Sequence, residues 1–401
     1  MRNITITPAH KEERTLKIKD FSFYTDFAVN TYAEEKLYSA KMGEELLCAS
    51  ENGFSKIYSC QNKILLYGKD GKIYQFKNGK FVEFSMQKFH SAPEIFSVTL
   101  SGVPSVAIAE NGHGVIVGDS HAYVTLPKGN GYLYYNGVLF CADGDKIRFG
   151  GDFDYSGYTV NLKTAGFIGV YGKGKILKLI PAQDKIIVFC QHGIAYLYPE
   201  GDRFEYRLET TTFEFSGVDE KSIVSFNGCT YFLRNGKLCV FSSTGINELS
   251  LPSRPLNCIS NAVNYYGLCM FNYGDGVFVF DTVKKNSFYL PAKALSIATG
   301  GYFLTENGEI KVFSLVKNAY DGSWESLPLD LGTYEEKTVY RIVFSCSAPV
   351  TLRIKSERGE REIRSDGGLK SARISLLGKT FSLTVNGDSA EVSGIKIYYR
   401  I

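Results

Sequence analysis

Residues 67–84 read YGKDGKIYQFKNGKFVEF. Apolar and polar side chains alternate, break at Asp70-Gly71, alternate again, break at Asn78-Gly79, and alternate once more. A period of two sends successive side chains to opposite faces of a strand. An Asn-Gly or Asp-Gly pair supplies the positive φ that a tight hairpin demands. The stretch therefore predicts consecutive antiparallel strands, and the same device recurs at Asn136-Gly137, Asn227-Gly228, Asn235-Gly236 and Asn307-Gly308.

Working outward, residues 54–86 form one meander of four strands, FSKIYSC, KILLYG, KIYQFK and KFVEFSM. Comparable sets of four follow over 97–127, 131–163, 175–209, 222–252, 257–292 and 294–331. In the third set the fourth strand is expected at YTVNLK, 158–163, and in the seventh at SWESLPLDL, 323–331. The third strands begin at 72, 114, 146, 193, 237, 277 and 309, so their spacing runs from 32 to 47 residues. Constant content with irregular length suits a β-propeller, in which insertions fall in loops. No Trp-Asp dipeptide or other blade signature accompanies the repeat, so two stacked β-barrels satisfy the same strand count.

Composition agrees with a strand-rich chain. There are 28 Phe, 27 Tyr, one Trp and 40 Gly among 401 residues, against four Met. Aromatic rings fit a pleated, half-buried surface, and glycines serve turns. The net charge of +3, from 45 basic and 42 acidic residues, is close to balanced. No strong nucleic-acid or membrane-surface field is expected from it. The start, MRNITITPAHKEER, lacks an apolar core of signal-peptide length, so the chain is expected to stay in the cytosol. The nine cysteines show no CxxC spacing, and Cys60, Cys190, Cys239 and Cys269 read as reduced core residues. A hairpin could bring Cys229 to face Cys239.

The two ends differ in texture from the repeats. After residue 331 about six alternating strands occupy some 65 residues, which predicts a separate small β-sandwich. Its hairpin RIKSERGEREIR alternates charge over Arg353, Lys355, Glu357, Arg358, Glu360, Arg361, Glu362 and Arg364. Either this is a solvated face of weak ion pairs, or its basic members form a charged contact surface for a partner. Residues 1–50 do not join the meander pattern, yet they carry Phe21, Phe23, Tyr24, Phe27, Tyr32 and Tyr38. Such rings must be buried along the propeller or against another subunit. The expected organisation is all-β: an arm over 1–50, a seven-bladed propeller over 51–331 and a sandwich over 332–401.

Chemistry is sparse. The histidines are scattered at 10, 90, 113, 121 and 192, and only His113 and His121, with Asp119, fall within one hairpin. Edge or turn residues explain them as well as a metal would. No GxSxG elbow occurs, and the Gly-rich stretch GVYGKGKI is followed by a strand where a phosphate cradle needs a helix. A propeller glycosidase places acids from different blades at its channel. The candidates are Asp219, Glu220, Asp152 and Asp154, which also read as loop acids. No enzyme activity, cofactor or metal is expected.

The order of parts resembles a family. An aromatic arm and an unmarked propeller are followed by Trp324 in GSWESLPLDLG, then EEKTVYRIVF, then a closing GKTFSLTVNGDSAEVSGIKIYYRI. This is similar to the tail-hub and packaged-DNA-stabilising proteins of tailed phages and prophages. The strand starts over 337–341 and 378–381 and the end over 397–399 match that family's closing segment. The resemblance implies a non-enzymatic virion structural protein of the head–tail junction or tail. It would act as an oligomeric scaffold or plug contacting portal, adaptor or tail components. It would be found in the virion and, during assembly, in the host cytoplasm, with at most weak DNA contact and none with membrane. The competing readings are a glycan- or peptide-binding propeller and, after it, the glycosidase.

Overall fold

The computed structural model describes residues 13–50, 53–100, 102–110, 112–118, 121–126, 129–150, 166–201, 205–249, 256, 259–273, 275–315, 319–387 and 390–401. Among them there is no α-helix, and so none long and apolar enough to cross a membrane. The chain is all-β. The first meander pairs Phe54–Cys60, Lys63–Gly68, Ile73–Lys77 and Lys80–Ser85 in sequence order. Lys77 lies opposite Lys80 around Asn78 (φ +52°) and Gly79 (φ +73°). Asn136-Gly137, Asn227-Gly228 and Asn235-Gly236 likewise hold both residues at positive φ, as a two-residue hairpin requires. At Asp70-Gly71 and Asn307-Gly308 only the glycine is left-handed. Asp70 there accepts from the Lys72 amide at 3.2 Å, so its side chain stabilises a longer turn.

Six four-stranded antiparallel sheets occur among the described residues, and Asn261–Tyr265, Leu268–Asn272, Val277–Asp281 and Asn286–Leu290 form a further set of four within a nine-stranded sheet; these sets are the blades of a β-propeller. Their innermost strands are Phe54–Cys60, Glu94–Leu100, Asn130–Tyr135, Ile176–Pro181, Val224–Phe226, Asn261–Tyr265 and Ala294–Ala298. Each pair of neighbouring blades encloses its own apolar cluster. Cys60, Leu65 and Ile73 of blade one meet Val106, Ile108 and Val115 of blade two. Ile180 and Phe189 of blade four meet Phe232 and Phe241 of blade five. Ala298, Leu304 and Ile310 of blade seven meet Phe54, Ile57 and Leu66 of blade one, which closes the ring. Alternation makes this work within a single strand: Met270 packs toward blade seven while Cys269 and Phe271 pack toward blade five. A fully buried Phe, Leu or Ile contributes about 1.5–3 kcal/mol, so each interface is individually substantial.

The seventh blade corrects the sequence reading. Its fourth strand is Gly43–Ala49, from the arm, running antiparallel to Glu309–Ser314 with Ala49 opposite Glu309 and Gly43 opposite Ser314. Glu44 reinforces this pairing, accepting from Lys311 at 2.6 Å and from the Tyr320 hydroxyl. The expected strand, Ser323–Ser326, lies instead in the sandwich between Thr25–Val29 and Phe381–Asn386. In blade three the outer strand is Gly166–Gly169, and the predicted 158–163 lies outside the described residues.

The six predicted C-terminal strands are present, from Lys337–Cys346 to Val392–Arg400, but they do not form a separate body. One sheet takes Glu13–Ile18 and Leu37–Ser39 beside Val392–Arg400. The other takes Thr25–Val29 and Ser323–Ser326 and continues, through a parallel bridge from Val29 to Tyr289, into the outer strand of blade six. Trp324 sits fully buried between the sheets. Its indole donates to Thr25 Oγ1 at 2.8 Å, and Phe21 meets it edge-on with ring centroids 5.2 Å apart.

Asn30 lies where the arm touches both sandwich and propeller. It is fully buried in the left-handed region at φ +44°. Its amide donates to Tyr289 O (2.8 Å) and its carbonyl accepts from Ala40 N (2.8 Å). Its side chain donates to Tyr320 O (2.6 Å) and accepts from Met42 N (2.9 Å). Just beyond, Tyr32 packs edge-on against Phe288 at 5.1 Å and donates to the Asp281 carboxylate at 2.8 Å. Asn tolerates left-handed backbone better than most residues because its short side chain bonds locally.

Two predictions follow from this packing. Asn30→Ala loses both side-chain bonds and places a plain β-carbon at positive φ, lowering unfolding free energy by about 2–4 kcal/mol. Asn30→Gly, which keeps the backbone geometry, loses about half as much; denaturant titration of both variants checks the order. The second concerns pH. Burial pushes the thiols of Cys141, Cys190 and Cys269 from 9.0 up to about 12. Between those values the folded chain keeps protons that the unfolded chain releases, so stability falls as pH rises above about 9. Urea midpoints at pH 7, 9 and 10.5 should decline in that order, and Cys190→Ala should flatten part of the decline.

Candidate contact surfaces

The charged hairpin pairs Val350–Ser356 with Gly359–Ser365 at the outer edge of the nine-stranded sheet. Val350, Leu352 and Ile354 point into the sandwich core, which turns Arg353 and Lys355 outward. Arg353 faces Glu362 at 3.2 Å, and Arg364 reaches the same carboxylate at 2.9 Å. The two guanidiniums hold that carboxyl below its usual range. Arg358 pairs with Glu336 at 2.6 Å. Three of the five basic candidates are thus locally compensated, each exposed pair contributing about 0–1 kcal/mol. Lys355 and Arg361 make no ion pair among the described residues.

Arg361 has a distinct place. It lies opposite Ile354, on the core-facing side of an edge strand, yet is exposed, and it donates to Glu360 O at 2.9 Å. An inward-pointing charge at a sheet edge discourages another strand from adding there. The hairpin is therefore suited to side-chain contacts more than to sheet extension.

The arm aromatics divide. Phe21, expected on a contact surface, is 0% exposed, because Asp20 caps the Phe21–Tyr24 turn and aims the ring at Trp324. Phe23, two residues on in the same tight turn, is 77% exposed. Tyr24 ends that turn, and its side chain lies outside the described set.

Exposed aromatics that the sequence reading does not single out include Tyr123, Tyr171, Tyr266 and Tyr334. Tyr266 is 86% exposed and left-handed, φ +49°, in the turn between the first two strands of blade six. Blades three and five use Asn there. A bulky residue in that region costs on the order of 1–2 kcal/mol relative to a tolerant one. The signal was legible as YYG over 265–267 against YNG over 135–137. Thr282 binds the Gly267 carbonyl through both its amide (3.0 Å) and its hydroxyl (2.7 Å), bringing exposed Val283 into the adjoining turn.

The remaining chemical candidates disperse. His113 pairs opposite Thr125 and His121 opposite Val117, at the two ends of their hairpin, and Asp119 lies outside the described residues. Asp219 caps a 3-10 turn and Glu220 binds Lys175 at 3.0 Å, while Asp152 and Asp154 lie outside the described residues. No three His, Cys, Asp or Glu converge as metal ligands among the described residues. Cys229 packs toward blade six and Cys239 toward blade four, on opposite faces of their sheet, so the two do not face each other. A cleft of about 470 Å³ lies at the joint of sandwich and propeller between Val29, Pro291, Tyr320, Asp321 and Asn386.

No family model matches the chain, and no curated protein is similar to it. Solved structures share its fold. The extracellular domain of a hybrid two component system from B. thetaiotaomicron is 10% identical, with a TM-score of 0.51, over 81% of this chain and 47% of that one. Raptor from Chaetomium thermophilum is 14% identical, also at 0.51, over 68% of this chain and 29% of its own. The Pan2 WD40 domain of Neurospora crassa is 9% identical at 0.45, over 67% of this chain and 94% of that domain. At these identities the two likenesses at 0.51 are of fold alone, and together with the blade sheets they make the chain a β-propeller with appended strands.

Proposed function

We propose that this chain is a non-enzymatic assembly protein, a structural component of a tailed-phage or prophage virion, at the head–tail junction or in the tail. The family resemblance of its closing segment suggests the setting. The observation that carries the reading is the lacing of the arm through both modules. Glu13–Ile18 and Thr25–Val29 belong to the sandwich, and Gly43–Ala49 to the propeller. One continuous sheet joins the sandwich to blade six. Such a body holds its surface features at fixed spacing, as a ring subunit or plug requires. Phe23, the hairpin cations Lys355 and Arg361, and Tyr266 are the side chains offered to portal, adaptor or tail proteins and to like subunits.

A second reading, a glycan-binding propeller, draws support from Tyr266. Its exposed ring stands edge-on to Tyr265 at 4.9 Å, and tyrosine presents an apolar body with a polar tip. Light scattering on purified protein separates the two. The assembly reading predicts several subunits, or a monomer that assembles when virion proteins are added, with Phe23→Ser and Arg361→Glu shifting the distribution toward monomer. A strict monomer, insensitive to those changes and raised in Tm by an oligosaccharide in a manner lost in Tyr266→Ala, would contradict it.

A further inference from the structure

The six-stranded sheet of the sandwich turns Ile18, Val339, Ile342, Phe344, Ile395 and Ile397 into the core. Alternation therefore puts Lys17, Arg341, Arg373, Lys396 and Arg400 on its outer face, and all five are exposed. Register gathers them. Lys17 lies directly opposite Lys396, Arg341 directly opposite Arg373, and Arg400 opposite Glu13. Tyr398 stands among them, opposite Thr15 on one side and Arg341 on the other. With strands about 4.8 Å apart and a rise of about 3.3 Å per residue, the five side chains leave a patch of sheet roughly 15 Å across.

Glu13 is the sole carboxylate in the four strands that carry them, Glu13–Ile18, Lys337–Cys346, Gly368–Gly378 and Val392–Arg400. Arg400 occupies it, donating from Nε at 2.9 Å and from Nη2 at 2.6 Å. Lys17, Arg341, Arg373 and Lys396 make no ion pair among the described residues. Like charges directly opposite one another destabilise a sheet. This face therefore keeps two unfavourable pairs that folding does not need.

The face is also ordered. A register shift between Val339 and Arg341, against both neighbouring strands, marks a bulge at Tyr340, and a bulge re-aims its side chain. The Tyr340 ring lies beside that of Tyr398, with centroids 6.3 Å apart. The Arg400 guanidinium sits over Tyr340 at 4.6 Å and that of Arg341 over Tyr398 at 5.4 Å. Arg341 Nε also donates to Ser371 Oγ at 2.9 Å. Exposed Leu369 and Leu377 flank Arg373 along its edge strand.

We propose that this outer face docks a carboxylate-rich surface of a protein partner. Guanidiniums held against rings present planar forks that match carboxylates. Arginine and tyrosine beside apolar side chains are the composition of protein contact surfaces. A nucleic-acid strand gains from free ring faces on which bases stack, and here a guanidinium already covers one face of each ring. The face is separate from the charged hairpin, which belongs to the other sheet. The inference deepens the assembly reading by naming the chemistry of one partner, and it rests on that reading for the partner being a protein.

Fluorescence anisotropy of a labelled twenty-residue poly-L-glutamate, titrated with the full chain at low salt, tests it. Saturable binding is expected. Arg341→Glu combined with Arg373→Glu should weaken it about tenfold or more, and Lys396→Gln alone several-fold. Lys80→Glu, on the outer strand of blade one, should leave it unchanged. Should the double reversal fail to fold, Arg373→Ser, a truncation on an exposed edge, carries the test with a several-fold loss. A twenty-nucleotide oligothymidylate is the competing probe: tighter binding to it, with the same arginine dependence, assigns the face to nucleic acid and overturns the proposal. Absence of poly-L-glutamate binding, or an affinity that none of the changes at this face alters, overturns it as well. No virion protein enters the titration, so such a result removes this partner chemistry while light scattering still decides the assembly reading.

Discussion

The pairing of Gly43–Ala49 with Glu309–Ser314 is the constraint on which the remaining architecture depends. Residues 49 and 309 are 260 positions apart, so the contact closes nearly the whole propeller into a loop. The entropic cost of joining such distant segments grows only with the logarithm of length, on the order of 5 kcal/mol for this span. A six-residue-pair ladder with Lys311 and Tyr320 gathered on Glu44 sets itself against that cost, and the seventh inter-blade core forms at the same time. Because the arm continues back through Asn30 into the sandwich, closing the ring also fixes the second module.

Two buried polar residues, one at the joint and one in the sandwich, show how the interior tolerates polarity. Asn30 satisfies backbone groups from three separate segments. Lys337, at 0% exposure, gives its three ammonium protons to the carbonyls of Thr333 (2.6 Å), Glu335 (2.7 Å) and Lys379 (3.0 Å). Full satisfaction is what makes a buried ammonium acceptable. Lys337, which opens one of the segments carrying the phage-family resemblance, here clamps the loop into the sandwich. A match at that position therefore speaks for architecture.

What the sequence made legible was local. Turns such as Asn78-Gly79 and Asn227-Gly228 need positive φ, and that need is written in two adjacent residues. Strand alternation revealed six C-terminal strands and most blade strands for the same reason. What escaped was set by distant partners. Nothing within GEELLCA states that its edge belongs beside residue 312, and SWES alternates equally well in a blade or a sandwich. Phe21 and Phe23 differ in exposure through the sense of one 3-10 turn, which composition does not encode.

Hydrogen exchange read by mass spectrometry on the native chain tests ring closure most directly. The amides of Gly43–Ala49 that face Glu309–Ser314 should be protected to the same degree as those of that strand and should open with them as one unit. Exchange of 43–49 at the rate of an unpaired segment, with 309–314 still protected on its inner side, would contradict the account.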